Sequence, residues 1–377
     1  MLPRFQLVLT LALASLSILT DLEAQTPPPR PPPVESPVVR PDRTVTFSVR
    51  APNARKVDLS GQFLKGNQPL TQDTNGVWTI TVGPIEPNLY PYNFVIDGVG
   101  VADSANQELF PNERFKPSLV EVRGDQPALH SIQDVPHGEV SYGYYESKTL
   151  HRTRPVVIYT PPGYRASKTK FPVLYLVSGT TDTEETWFRA GRANFILDNL
   201  IARKQAVPMI VVMPYGNMMM GAPAPNRPEV ADMYQVFNEE LTRDILPYVE
   251  ANYRVLASRE KRAIAGFSRG GGQSLFTGFN NLDRFAWIGS NSAYLTPEVF
   301  EKHFAPLAAN PKATNQKLKL LWLGVGKTDF LYQPAMDFDA YLNSKSIQHR
   351  SLVTEGGHTW MNARHYLAET AQLFFKP

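Results

Sequence analysis

At 377 residues the chain exceeds one average domain and accommodates two, and a 42% hydrophobic content is enough to fill both cores. A net charge of only +3, with no basic block, argues against nucleic acid as a partner. The absence of cysteine excludes disulfides, a thiol nucleophile and thiolate metal sites, and the seven histidines show no ligand spacing, so neither a metal nor another cofactor is implied.

Residues 1–24 read as an export signal. Arg4 supplies a positive start, 7–19 is an apolar run, and Ala24 is the expected last residue removed, with Leu22 an imperfect small-residue partner. The run is shorter than the roughly 20 apolar residues that a membrane span needs, so the expectation is an exported protein, periplasmic or secreted, rather than an anchored one. Residues 25–41 are proline-dense and predict an extended, poorly packed linker.

Residues 42–124 predict a small β-sandwich. Alternating stretches at 44–50, 56–60, 77–82 and 92–96 are separated by turn signals, among them Thr74-Asn75-Gly76 and Asp97-Gly98. Trp78, Tyr90 and Tyr92 admit two readings, sandwich core or sugar platform, and core is the commoner fate of strand aromatics. The segments FSVRAPNARKVDLSGQF, GVWTITVGPIEPNLYPYNFVIDG and VADSAN resemble the immunoglobulin-like domain that precedes many bacterial esterases, a relative of the family-48 carbohydrate-binding modules.

Residues 125–137 lack periodicity and predict a connection. From 138 to 377 strand and helix patterns alternate. Strands are expected at 156–159, 173–177, 209–213, 262–265, 318–323 and 350–354, and helices at 195–203, 238–252, 271–278, 334–344 and 362–375, with Pro247 a source of distortion. This order predicts a doubly wound α/β sheet behind the sandwich, which the serine motif that follows narrows to an α/β-hydrolase.

Within that frame Gly266-Phe267-Ser268-Arg269-Gly270 is a G-x-S-x-G entered by an apolar strand and left by a glycine-rich helix start, the setting of a nucleophile elbow. A serine hydroxyl needs a base at neutral pH. Asp329 follows the 318–323 strand and His358, in Gly356-Gly357-His358, follows the 350–354 strand, giving the order Ser, Asp, His. His349 precedes its strand, His365 lies inside a helix, and Asp337 and Asp339 lie on a helix, so all four are weaker candidates. The oxyanion needs two backbone donors, expected from Arg269 and from Thr180 in the loop leaving 173–177. Met219, Trp187 and Trp360 are candidate pocket walls, with ordinary packing the competing reading.

The segments YTPPGYRASKTKFPVLYLVSG, ILDNLIARKQAVPMIVVMPYGN, ILPYVEANYRV, RAIAGFSRGGGQSL and GGHTW resemble carbohydrate esterase family 1, which contains feruloyl and acetyl-xylan esterases, with siderophore esterases and mycolyl transferases as relatives. The resemblance implies a serine esterase acting through an acyl-enzyme on feruloyl or acetyl esters of plant polysaccharide such as xylan. A siderophore esterase or acyltransferase, and a non-catalytic carbohydrate-binding protein, are the rivals. Ser178-Gly179 replaces the frequent His-Gly of the family, and Arg269 replaces a frequent Met. Both changes alter the pocket and leave the backbone donors in place.

Overall fold

A computed structural model describes residues 32–218 and 230–376. The proposed leader, the linker up to residue 31, and Met219 lie outside the described residues. The linker's other end departs from expectation. Residues 38–39 form a first strand, β1 (Val38–Val39), paired with β2 (Val45–Arg50), and Ser36 is buried with its hydroxyl on Asp103 (2.5 Å). The proline-rich stretch therefore ends in the sandwich rather than before it.

The sandwich continues with β3 (Val57–Gly61), β4 (Gln68–Pro69), β5 (Thr71–Gln72), β6 (Val77–Val82), β7 (Asn88–Ile96), β8 (Val99–Val101) and β9 (Ser118–Val122). One sheet runs β1-β2-β6-β5. The other runs β4-β3-β7-β8, with β9 also on β7. Alternation sends Val45, Phe47 and Val49 of β2 inward against Leu59, Tyr92, Phe94 and Val120. Asp97 and Gly98 both take positive φ, 47° and 89°, and Ile96 faces Val99, a two-residue hairpin of the kind that Asp-Gly favours. Of the two readings of the sandwich aromatics, core is the one observed. Trp78, Tyr90 and Tyr92 are buried, and their polar atoms are taken internally by Ala51 O (2.9 Å), Glu86 O (2.8 Å) and Asp103 (2.7 Å).

The second part contains β10 (Glu139–Ser147), β11 (Arg152–Thr160), β12 (Val173–Val177), α1 (Thr186–Arg189), α2 (Ala193–Ala202), β13 (Ile210–Pro214), α3 (Val230–Glu240), a π-helical turn at Leu241–Ile245, α4 (Leu246–Asn252), β14 (Arg262–Phe267), α5 (Arg269–Asn280), β15 (Trp287–Asn291), α6 (Pro297–Ala309), α7 (Pro311–Lys317), β16 (Leu320–Gly326), α8 (Tyr332–Ser344), β17 (Arg350–Thr354) and α9 (Trp360–Ala371). Among the described residues its eight strands lie in the order β10-β11-β13-β12-β14-β15-β16-β17, parallel from β13 onward with β10 and β11 antiparallel at one edge. Successive residues of β12 serve opposite faces. Leu174 and Leu176 pack towards α2 and α9, while Val173, Tyr175 and Val177 pack towards α5 and the α3–α4 segment. The single helix expected at 238–252 is one rod from 230 to 252 with a π turn just before Pro247. That proline has no N–H to offer the preceding turn, so the hydrogen-bond ladder is reset there.

The strand order reverses around β12, whose neighbours are β13 and β14. The loops leaving β12 and β14 therefore flank the crevice at the carboxyl edge where α/β sheets bind ligands. The sandwich packs on the α9 face. Leu89, Phe110 and Leu119 join one apolar cluster with Trp187 and Trp360. The buried Arg364 of α9 donates to Ala190 O (2.6 Å), Asn88 Oδ1 (2.6 Å) and Leu89 O (2.7 Å). The 125–137 connection is likewise fastened to α2, through Asn199 to Leu129 O and Ser131 O and through His137 to Asp198. Among the described residues no helix is long and apolar enough to cross a membrane.

Candidate active site

Ser268 sits between β14 and α5 with φ 56° and ψ −125°, a conformation that costs a non-glycine residue about 1–3 kcal/mol and needs its surroundings to hold it. The hold is visible. Its N–H donates to Asn291 O of β15 (2.8 Å), and its carbonyl accepts from Gly272 N (3.1 Å). The flanking glycines are demanded by approach distance. A Cβ at Gly266 would lie 2.3 Å from Gly270 O, and one at Gly270 would lie 2.3 Å from Val177 O.

His358 stands in the loop between β17 and α9, and Asp329 in the loop after β16. These loops are stitched together by Lys327 N to Thr354 O (2.8 Å) and Thr328 N to Gly356 O (3.0 Å). His358 Nε2 lies 2.8 Å from Ser268 Oγ, and Nδ1 lies 3.0 Å from each oxygen of Asp329. Burial opposes ionisation of Asp329. The His358 ring N–H and the Leu331 N–H (2.8 Å) outweigh it, so the carboxyl is held below the usual carboxylate range. An ionised Asp329 accepts a hydrogen bond from the Nδ1–H of His358, which keeps the ring proton on Nδ1 and leaves Nε2 as the acceptor facing the serine. The weaker candidates are elsewhere, His349 being paired with Asp339 (2.9 Å).

The loop after β12 approaches the serine at Gly179, where an added Cβ would be 3.3 Å from Ser268 Cβ. Gly179 donates its own N–H to Asp182 Oδ2 (2.9 Å). Among the described residues no intramolecular acceptor takes the N–H of Thr180 or of Arg269, the two positions expected to receive an oxyanion. The Arg269 side chain turns to Gly179, donating Nη2 to its carbonyl (2.9 Å). Burial lowers its proton affinity, and Glu113 and Asp182 nearby oppose that. Asp182 is buried, and desolvation pushes its carboxyl up to about 7 despite the Gly179 N–H.

Trp187 and Trp360 do not wall an open pocket. They are 0% and 6% exposed, pair edge to face at 4.8 Å, and Trp187 donates Nε1 to Val177 O (3.0 Å). That expectation is corrected: the pair is core, and Trp360 backs Phe267 (5.4 Å), which lies against the His358 ring (4.8 Å).

Sequence reasoning missed two features. Phe330, next to Asp329, is 74% exposed with its ring 4.4 Å from that of His358, an apolar surface left open beside the site. The signal was a large apolar residue directly after the acid. The second is a set of contacts from the sandwich. Asn112 Nδ2 donates to Thr181 Oγ1 (2.9 Å), Glu113 N donates to Thr181 O (2.8 Å), and Glu113 Oε1 accepts from Tyr215 (2.7 Å) and Asn217 (2.6 Å) beyond β13. Nothing local in the sequence signals these pairings. Among the described residues no three His, Asp or Glu side chains converge as a metal site would require.

With that geometry in place, residues 147–373 match the family described as Putative esterase, and residues 36–109 match Carbohydrate-binding module 48. An endo-1,4-beta-xylanase/feruloyl esterase of Xylanibacter ruminicola is 28% identical over 91% of this chain and 46% of its own length. The chain thus spans about half the length of that relative. A solved ferulic acid esterase is 25% identical, with a TM-score of 0.56, over 63% of this chain and 98% of its own. An enterobactin esterase of Shigella flexneri shares the fold at 18% identity and a TM-score of 0.63, over 87% of this chain and 92% of its own.

Proposed function

The chain belongs to the putative esterase family, and from that premise we propose that it is a serine carboxylic-ester hydrolase acting on feruloyl or acetyl esters of plant cell-wall polysaccharide such as xylan. The observation that carries the proposal is the 2.8 Å approach of His358 Nε2 to Ser268 Oγ, with Asp329 behind the imidazole. His358 takes the hydroxyl proton as Oγ attacks the ester carbonyl, and Asp329 steadies the imidazolium that forms. The N–H groups of Arg269 and Thr180 receive the oxyanion. His358 then returns the proton to the departing sugar hydroxyl, leaving Ser268 acylated. Water, activated by the same imidazole, releases the acid and restores the serine.

Two observations support an aromatic acyl group. The Xylanibacter relative carries feruloyl esterase in its name, and Phe330 offers an open ring beside His358 on which a hydroxycinnamoyl ring can stack. Arg269, the one cue for an anionic or catecholate substrate, is engaged by the Gly179 carbonyl. Export rests on the charged start and apolar run of the leader. The test is turnover of methyl ferulate, acetylated xylan and a tri-catecholate lactone by the same preparation. Turnover of either of the first two supports the substrate class, and turnover of the lactone alone overturns it.

A further inference from the structure

The loop that presents Thr180 contains a strained residue. Thr181 is β-branched yet holds φ 63°, a region such residues avoid unless contacts enforce it. The enforcing contacts come from the sandwich. Its segment at 111–113 runs beside the loop, with Asn112 bridged to Asp182, Asn112 Nδ2 on Thr181 Oγ1, Glu113 N on Thr181 O, and Pro111 O accepting from Thr186 Oγ1 (3.0 Å). Thr180 is therefore bracketed. On one side Gly179 is fixed by Asp182 and Arg269, and on the other Thr181 is fixed by Asn112 and Glu113. Glu113 also ties this junction to Tyr215 and Asn217, so two loops of the catalytic rim, those leaving β12 and β13, meet at one residue of the sandwich.

We infer that the sandwich is a working part of the esterase site, and that Asn112 and Glu113 are positioning residues that set the Thr180 N–H where the oxyanion forms. The inference rests on the reading of Thr180 as an oxyanion donor. It gives the N-terminal domain a role in the chemical step that is separate from any affinity for polysaccharide. Catalysis then draws on preorganisation of a dipole by a domain that never touches the reacting atoms.

The experiment compares full-length wild type, Asn112→Ala, Thr181→Val and the double variant. Thr181→Val removes the acceptor without altering the sandwich. For each, kcat on methyl ferulate and on p-nitrophenyl acetate is measured, with inhibition constants for phenylboronic acid, which adds to a serine as a tetrahedral anion, and for ferulate. Either single change should lower kcat on both esters about tenfold and weaken the boronate by a similar factor, while ferulate stays within roughly twofold. The double variant should lose no more than either single one, because the two changes break the same bond. Wild-type kcat and boronate affinity in either folded variant overturn the inference, as do additive losses or an equal weakening of ferulate and boronate. If Asn112→Ala fails to fold, Thr181→Val decides alone. Wild type that neither turns over an ester nor binds the boronate through Ser268 defeats the esterase reading itself, a result distinct from failure of the positioning role.

Discussion

Both carboxylate oxygens of Asp329 lie 3.0 Å from Nδ1 of His358, a symmetric grip that fixes the ring with Nε2 towards the serine. Asp329→Asn keeps the shape and removes the charge that selects this tautomer. It should lower kcat on methyl ferulate by about 10³–10⁴-fold with little change in KM. Steady-state kinetics check it, and a loss confined to KM contradicts the orienting role.

Phe330 should act on substrate choice rather than on chemistry. Phe330→Ala is expected to raise KM for methyl ferulate about tenfold, as loss of an aromatic contact does, and to leave p-nitrophenyl acetate within roughly twofold. Parallel assays on the two esters decide. Equal effects on both would assign Phe330 to support of the histidine instead.

Gly270→Ala forces a methyl group to within 2.3 Å of Val177 O and 2.6 Å of Ser178 O, the strand end that carries the Gly179 loop. Overpacking of this kind costs about 1–3 kcal/mol, so the melting temperature should fall by several degrees and esterase activity should fall with it. Thermal unfolding together with an activity assay tests this, and an unchanged melting temperature contradicts the close approach.

Asp182 links stability to pH. Its carboxyl titrates at about 7 in the folded chain against an ordinary 3.8 when unfolded. Between those values the folded state holds a proton that the unfolded state has lost, so rising pH disfavours folding until about pH 7 and then has no further effect. The full penalty is on the order of 4 kcal/mol. Asp182→Asn lacks it and can still accept the Gly179 N–H. The variant's melting temperature should therefore gain on wild type from pH 4.5 to 7 and run parallel above. Parallel curves throughout would contradict the buried, proton-holding carboxyl.

The elements read best from sequence are those whose signal is local. The elbow at Ser268 is a strand, a tight turn and a helix start within a few residues, and Asp329 and His358 each follow a strand that ends at the same edge of the sheet. Strands with polar tasks escaped notice. β15 ends in Ser290 and Asn291, whose side chains respectively donate to Ala293 O and accept from Trp322 Nε1 in the interior, so the apolar run that marks a buried strand is cut short. β10 was missed because it is an edge strand with exposed Tyr142 and Tyr144. For Trp187 and Trp360, as for Trp78 and Tyr92, composition names a large aromatic, whereas register and packing decide whether it meets solvent. The bond from Asn112 to Thr181 spans 69 residues and joins two domains, a relationship that no local pattern records.

The most direct measurement traps the enzyme during turnover. Wild type mixed with methyl ferulate, quenched in acid within the first turnovers and digested, should yield the peptide containing Ser268 with one feruloyl group attached. Ser268→Ala should yield neither the adduct nor turnover. Hydrolysis by the alanine variant, or turnover by wild type with the acyl group on another residue or on none, would contradict the account.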